Sequence, residues 1–170
     1  MFVMYFKFSH IGFPYYIGSV TTDEEFMREA LALAGQSAHA GEVPVGAVVV
    51  IGGEIVARGS NSPIAHSDPT AHAEILAIRQ AAAHAGNYRL TGATLYCTLE
   101  PCVMCAGALV AARVQRLVFG ARDLRFGGVR SKFQVADSEV LNHRVEVVEG
   151  VLAVECVELL RGFFETQRRK

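Results

Sequence analysis

The chain is poor in cysteine, in lysine and in charge. Its 170 residues include four cysteines, three lysines and 19% charged residues, and the net charge is −1. Four cysteines are too few for a disulfide scaffold, and a content of 51% hydrophobic residues excludes a disordered chain. No run of about 18 apolar residues occurs, so we expect neither a transmembrane helix nor a membrane partner. The length is that of one domain.

Arginine, in contrast, is plentiful. Thirteen arginines stand against three lysines. Because the planar guanidinium group suits bidentate hydrogen bonding to phosphate, this bias favours a nucleic acid or a nucleotide as a partner.

The first 22 residues form an atypical aromatic extension. Residues 1–20 hold seven of the fifteen aromatic residues and one charge, Lys7. They lack the cationic start, the clean apolar stretch and the small-residue cleavage site of a signal peptide. We hypothesise that the start codon is misassigned; a disordered tail and a surface-packed strand are the alternatives. The folded domain is then expected over residues 23–170.

The first half of this domain begins with a helix and a hairpin. Thr22 or Asp23 can cap a helix over residues 23–39. Gly52 and Gly53 predict a β-hairpin, with strands at 45–51 and 54–58.

Strand and helix signals then alternate. Asp68 and Pro69 are interpreted as the N-cap and the first residue of a helix that ends at Gly86. Further strands are predicted at 93–98, 115–120 and 145–148, helices at 102–112 and 152–167, and loops at 60–67 and 122–138. We therefore predict an α/β fold, a three-layer α/β/α domain whose helices cover both faces of a mixed five-stranded sheet.

Two short motifs indicate a metal-dependent enzyme. Cys102 and Cys105 follow Pro101 at the start of a predicted helix, where the helix dipole favours the thiolate form that binds metal. His72 can supply a third ligand, and three nitrogen and sulfur ligands with one open position are typical of catalytic zinc. Zinc lowers the pKa of bound water to about 7. Glu74 would lie beside that water and could transfer its proton.

Each motif has a plainer interpretation when taken alone. A single Cys-x-x-Cys is commonly a redox or structural pair, and His-x-Glu on a helix is commonly a surface feature. A redox pair is disfavoured because Pro101 precedes the motif and does not lie within it. Both motifs at predicted helix starts, in this order, indicate a zinc hydrolase site.

The combination His-x-Glu and Pro-Cys-x-x-Cys is the signature of the zinc nucleobase deaminases. Longer segments resemble one family of this superfamily, the bacterial tRNA-specific adenosine deaminases, over about residues 23–169. These segments are residues 41–47 (GEVPVGA), 68–75 (DPTAHAEI), 87–90 (NYRL), 94–108 (TLYCTLEPCVMCAGA), 118–123 (VFGARD) and 142–146 (NHRVE).

The resemblance implies a cytidine-deaminase-like fold, a cytoplasmic homodimer and one zinc ion per subunit. The implied reaction converts adenosine to inosine at the wobble position of a tRNA anticodon stem-loop, usually that of an arginine tRNA, with the base flipped into the pocket. By position, His72, Cys102 and Cys105 would hold zinc and Glu74 would shuttle protons. Asn61 would contact the target nucleotide, and Asp123 would line the RNA groove.

Departures from the family pattern lie in residues 124–131 (LRFGGVRS), where Phe126 and Arg130 could contact RNA or reshape the loop. Basic residues also concentrate nearby: residues 111–132 hold six basic residues against one acidic residue, and residues 161–170 hold four against one. We interpret them as a basic strip for RNA phosphates; the alternative is scattered, solvated charges.

Two other functions remain open at this point. The same scaffold and zinc motif serve deaminases of free bases or nucleosides, such as guanine or cytosine. An RNA-binding or scaffold protein with an inactive zinc site is a different class, and Glu74 argues against it because a structural site needs no proton shuttle.

Overall fold

The computed structural model describes residues 22–169, so the predictions for the N-terminal extension, Thr22 apart, lie outside the described residues. The described strands are β1 (Gly46–Ile51), β2 (Glu54–Ser60), β3 (Thr94–Leu99), β4 (Arg116–Ala121) and β5 (Glu146–Glu149). The described helices are α1 (Asp23–His39), α2 (Pro63–His66), α3 (Ala73–Ala85), α4 (Val103–Ala111) and α5 (Ala153–Gln167). None of these helices has the length and apolarity that a membrane crossing needs.

The strands form one mixed sheet in the order β2-β1-β3-β4-β5. Strand β1 is antiparallel to both β2 and β3, whereas β3, β4 and β5 run parallel. The β1–β2 connection is the predicted hairpin: Gly52 and Gly53 have φ angles of 62° and 85°, which glycine adopts without strain.

Helices cover both faces of the sheet, which confirms the predicted three-layer α/β/α arrangement. Side chains of β1 alternate between two apolar clusters, as the period of two in a strand requires. Val48 and Val50 pack with α1, and Ala47 and Val49 pack with α3 and α4. Cys97 and Cys156 are buried in these clusters as apolar residues.

Helix α1 has the predicted bounds, and its N-cap is Thr22. The Thr22 side chain accepts a hydrogen bond from the Glu25 backbone N–H, and the Glu25 carboxylate accepts one from the Thr22 backbone N–H, at 3.3 and 2.6 Å. This capping box satisfies two N–H groups that the helix itself leaves unpaired.

The predicted start of the next helix is wrong. Helix α3 begins at Ala73 with His72 as its N-cap, while Asp68 and Pro69 precede it in a turn. The Asp68 carboxylate accepts hydrogen bonds from both the backbone N–H and the hydroxyl of Thr70, each at 2.7 Å. This local turn competes with helix formation. The predicted loop at 60–67 contains the short helix α2.

The carboxyl ends of the parallel strands position the functional residues. Leu99 of β3 pairs with Ala121 of β4 at this edge, and the chain continues from β3 through Pro101 into α4. Ligands bind outside the carboxyl ends of the strands in open α/β sheets.

Candidate functional site

His72, Cys102 and Cys105 come together between α3 and α4. The His72 Nδ1 atom lies 3.7 Å from Cys102 Sγ and 3.6 Å from Cys105 Sγ, and the three donor atoms lie within 4.8 Å of one another. His72 is the N-cap of α3, and Cys105 lies in the first turn of α4. Cys102 was predicted to lie in that first turn too; it is the extended N-cap residue before it.

These three donors fit a zinc ion. Tetrahedral zinc with ligand distances of about 2.1 Å to nitrogen and about 2.3 Å to sulfur places the nitrogen and sulfur atoms about 3.6 Å apart. The observed separations of 3.6 and 3.7 Å agree with this value. Three protein ligands leave one position open, which is typical of a catalytic site.

The pKa values of the two cysteine thiols shift in opposite directions. A hydrogen bond from Cys105 lowers the pKa of Cys102 to about 4, against the opposing effect of burial, and His72 lowers it further. The same hydrogen bond raises the pKa of Cys105. A hydrogen bond with Cys102 also raises the pKa of His72. The lowered pKa of Cys102 favours its thiolate, the form of cysteine that binds metal.

Glu74 lies in the first turn of α3, two residues after His72, and its side chain is buried. Burial raises the pKa of this carboxyl group, because the charged form loses its hydration, and the negative charge of Cys102 acts in the same direction. A raised pKa suits a carboxyl group that must both accept and donate a proton.

A cavity of about 750 Å³ opens above these residues. His72, Glu74 and Cys102 line it together with Asn61 and Asp123, so both predicted substrate contacts and two of the three zinc donors face the same cavity. Leu160 and Phe164 of α5 form part of its wall. A volume of this size is typical of a small-molecule site.

Asn61 and Asp123 are held by different interactions. The Asn61 backbone N–H donates to the Val45 carbonyl at 3.0 Å, which fixes this residue directly after β2. The Asp123 carboxylate accepts hydrogen bonds from the backbone N–H groups of Arg125 and Phe126, at 2.9 and 3.1 Å. Asp123 thus shapes the turn in which it lies, in addition to lining the cavity.

Sequence reasoning assigned no role to Glu100, which also lines the cavity. Its buried carboxylate accepts hydrogen bonds from the backbone N–H groups of Asp123, Val129, Arg130 and Ser131, at 2.6 to 3.1 Å. Burial opposes ionisation of Glu100, but these hydrogen bonds and one from the Ser131 hydroxyl outweigh it and lower its pKa. A charged residue between an apolar strand and a proline is the signal that could have drawn attention to it.

Three of the six basic residues that the sequence placed between residues 111 and 132 form ion pairs with carboxylates. Arg116 pairs with Asp23, Arg122 with Glu149 and Arg130 with Asp137, at N–O distances of 2.7 to 3.0 Å. Arg130 is therefore engaged within its own loop. Arg125 lies over the exposed ring of Phe126 at 5.6 Å from the ring centre.

The fold and the site define a zinc-dependent deaminase. The family profile described as the cytidine and deoxycytidylate deaminase zinc-binding region matches residues 20–121. The tRNA-specific adenosine deaminase of Haemophilus influenzae is 50% identical over 149 residues, which cover 87% of this chain and 86% of that protein. Within the zinc-dependent deaminases, the chain belongs to the family of the tRNA-specific adenosine deaminases.

Two solved structures have folds similar to that of this chain. A structure from studies of A-to-I editing by tRNA:A34 deaminases, which act at the wobble position of transfer RNA, has a TM-score of 0.77 at 43% identity. The match covers 79% of this chain and 98% of the chain in that structure. A guanine deaminase from Nitrosomonas europaea has a TM-score of 0.74 at 27% identity, covering 91% of this chain and 95% of that one.

Proposed function

We propose that this protein hydrolyses the C6–amino bond of adenosine at the wobble position of a tRNA anticodon, giving inosine and ammonia. The observation that carries the proposal is the buried Glu74 carboxyl group, which lines one cavity together with His72 and Cys102, two of the three grouped zinc donors. The 50% identity to a tRNA-specific adenosine deaminase over 87% of the chain supports adenosine in tRNA as the substrate.

His72, Cys102 and Cys105 would hold the metal. Zinc with three protein ligands lowers the pKa of water in its open position to about 7 and so supplies hydroxide at neutral pH. Glu74 would accept one proton of the attacking water and deliver it to the ring nitrogen next to C6. It would then transfer the proton of the hydroxyl group added at C6 to the amino group, which leaves as ammonia. The burial of Glu74 excludes bulk water from competing for that proton.

Asn61 and Asp123 would position the substrate. The target base must leave the stacked anticodon loop before its C6 atom can be reached, and the 750 Å³ cavity has room for the flipped nucleoside. Asn61 would donate and accept hydrogen bonds on this nucleotide. Asp123 would line the groove for the flanking RNA.

The partners follow from the same proposal. We expect the anticodon stem-loop of an arginine tRNA as the RNA partner, a homodimer with one zinc ion per subunit, and action in the cytoplasm. An inactive zinc scaffold is disfavoured because a carboxyl group is buried beside the metal donors without serving as a ligand.

Deamination of a free base is the second candidate. The structural likeness to the Nitrosomonas europaea guanine deaminase favours it, at the lower identity of 27%. The zinc site alone does not separate the two, because both reactions use the same attack of water on a ring carbon.

One assay distinguishes these functions. The zinc-loaded protein is incubated with an anticodon stem-loop that carries adenosine at the wobble position, and separately with adenine, guanine, cytosine and cytidine. We expect inosine in the stem-loop and no product from the others. Turnover of a free base with unmodified RNA would replace our proposal by the second candidate.

A further inference from the structure

Glu100 is buried, lines the cavity and stands two residues before the zinc donor Cys102. It directly follows β3 and precedes Pro101 and Cys102, and its own N–H donates to the Ala121 carbonyl at 2.8 Å. Glu100 is therefore fixed by its backbone to the edge of the sheet from which the site is built.

The side chain of Glu100 accepts hydrogen bonds from the loop of residues 122–131, which we call the wall loop. Its Oε1 atom accepts from three consecutive N–H groups, those of Val129, Arg130 and Ser131, at 3.1, 2.6 and 2.8 Å. Its Oε2 atom accepts from the Asp123 N–H at 3.0 Å and from the Ser131 hydroxyl. One carboxylate thus holds both ends of the loop, in the manner of an anion bound by successive backbone N–H groups.

The wall loop in turn supports Cys102. Gly127 bridges to Cys102, and the Gly128 N–H donates to the Pro101 carbonyl at 2.8 Å. A Cβ atom on Gly128 would lie 2.8 Å from the carbonyl carbon of Cys102, and one on Gly127 would lie 2.5 Å from the Glu100 carboxyl group. Contacts this close leave no space for a side chain at Gly127 or Gly128. The backbone of the wall loop therefore packs directly against residues 100–103, and this packing restrains Cys102.

The other part of the same loop faces the substrate. Asp123, Leu124, Arg125 and Phe126 line the cavity, and the Asp123 N–H is one of the groups that Glu100 holds. Displacement of residues 123–126 therefore affects the substrate wall, and displacement of Gly127 and Gly128 affects the zinc donor Cys102.

We propose that Glu100 is a positioning residue that fixes the wall loop against Cys102 and thereby sets both a zinc donor and the substrate wall. Its part in substrate binding rests on the proposed function; its part in zinc binding does not. Glu100→Gln tests the proposal because it keeps the size of the side chain but places an amide donor opposite N–H and O–H donors.

Four properties of Glu100→Gln should change together. We expect the backbone amide of Asp123 to exchange its hydrogen at least tenfold faster than in the wild type. Zinc affinity should fall about tenfold, which is the smaller end of the loss that follows when residues contacting metal ligands are substituted. The cobalt-substituted variant should show altered sulfur-to-cobalt absorption, and KM for the stem-loop should rise more than kcat falls. Ser131→Ala, which removes one hydrogen bond, should change exchange and zinc affinity less, in the same direction.

Asp23→Asn is the matched control, because it removes another carboxylate that accepts several hydrogen bonds but does not line the cavity. It should lower stability and leave amide exchange of the wall loop, zinc affinity and the cobalt spectrum unchanged.

Wild-type zinc affinity and wall-loop exchange in Glu100→Gln would overturn the proposal. If that variant does not fold, wild-type zinc affinity and exchange in Ser131→Ala would do so. If the wild type does not deaminate the stem-loop, the proposed function fails, while the exchange and metal measurements still decide the role of Glu100.

Discussion

The Asp23 carboxylate lies 2.8 Å from two guanidinium nitrogens of Arg116, which joins the first residue of α1 to the first residue of β4. The Tyr96 hydroxyl donates to the same carboxylate, also at 2.8 Å. Burial and the hydrogen bond to Asp23 raise the pKa of Tyr96 to about 12. A helix on one face of the sheet is thus attached to two adjacent strands, β3 and β4.

Asp23→Asn should lower the free energy of unfolding by about 1 kcal/mol at pH 7, a value reduced for the partial exposure of the pair. The hydrogen bonds from Arg116 lower the pKa of Asp23, so this stabilisation is present above the unfolded-state pKa of about 3.9 and is lost as pH falls through the lower folded-state pKa. Urea unfolding of both proteins at pH 7 and at pH 3 measures the difference. An equal difference at the two pH values would contradict the ionic origin of the effect.

Glu74→Gln should bind zinc normally and lose deamination by a factor of about 10²–10⁴, the usual contribution of a general acid–base group. Glutamine keeps the volume of the side chain but transfers no proton. The measurements are bound zinc per subunit and inosine formed in a single turnover. Glu54→Gln, which changes an exposed glutamate in the hairpin, is the control. Undiminished turnover in Glu74→Gln would remove this residue from the reaction.

Asn61→Ala should lower kcat/KM for the stem-loop about 10-fold or more, since a buried hydrogen bond to substrate is worth about 1–3 kcal/mol. The backbone bond from Asn61 to Val45 does not depend on the side chain, so folding and zinc content should stay normal. Asn87→Ala alters an exposed loop asparagine away from the cavity and serves as the control. Equal kcat/KM values for the two variants would exclude a substrate contact at Asn61.

Phe126→Ala should weaken binding of the stem-loop about 5- to 100-fold, because stacking of a base on an aromatic ring is worth about 1–3 kcal/mol. Phe126 lines the cavity, yet its ring is 63% exposed and available to a base. Phe133→Ala is closely matched: Phe133 is 58% exposed and does not line the cavity. Titrations of labelled RNA at fixed salt give both affinities. A larger loss for Phe133→Ala than for Phe126→Ala would refute the stacking role.

Local signals made much of this fold predictable. The bounds of α1 follow from the capping residues around Thr22, and the hairpin follows from Gly52 and Gly53, because these signals act between neighbours in the chain. The spacing of His72, Cys102 and Cys105 likewise predicted the metal donors. The start of α3 was misjudged because Asp68 can cap either a helix or a turn, and its contact with Thr70 decides between them.

Interactions between distant segments were not predictable in this way. Charge counting placed Arg116 and Arg122 in a basic strip, but their carboxylate partners, Asp23 and Glu149, lie 93 and 27 residues away in the chain. Glu100 escaped notice for the same reason, since its donors lie 23 to 31 residues further along. Such pairings are set by how the strands are ordered, which composition does not reveal.

The last strand, β5, forms one edge of the sheet and carries two ion pairs. Strand β5 is four residues long, and it begins with Glu146 and ends with Glu149, which face Arg116 and Arg122 of the neighbouring strand region at 3.5 and 2.7 Å. A short border strand with a carboxylate at each end gives a strand from another molecule little length to pair with and an unfavourable surface to cover. We therefore expect β5 to be a poor template for pairing with a strand of another molecule.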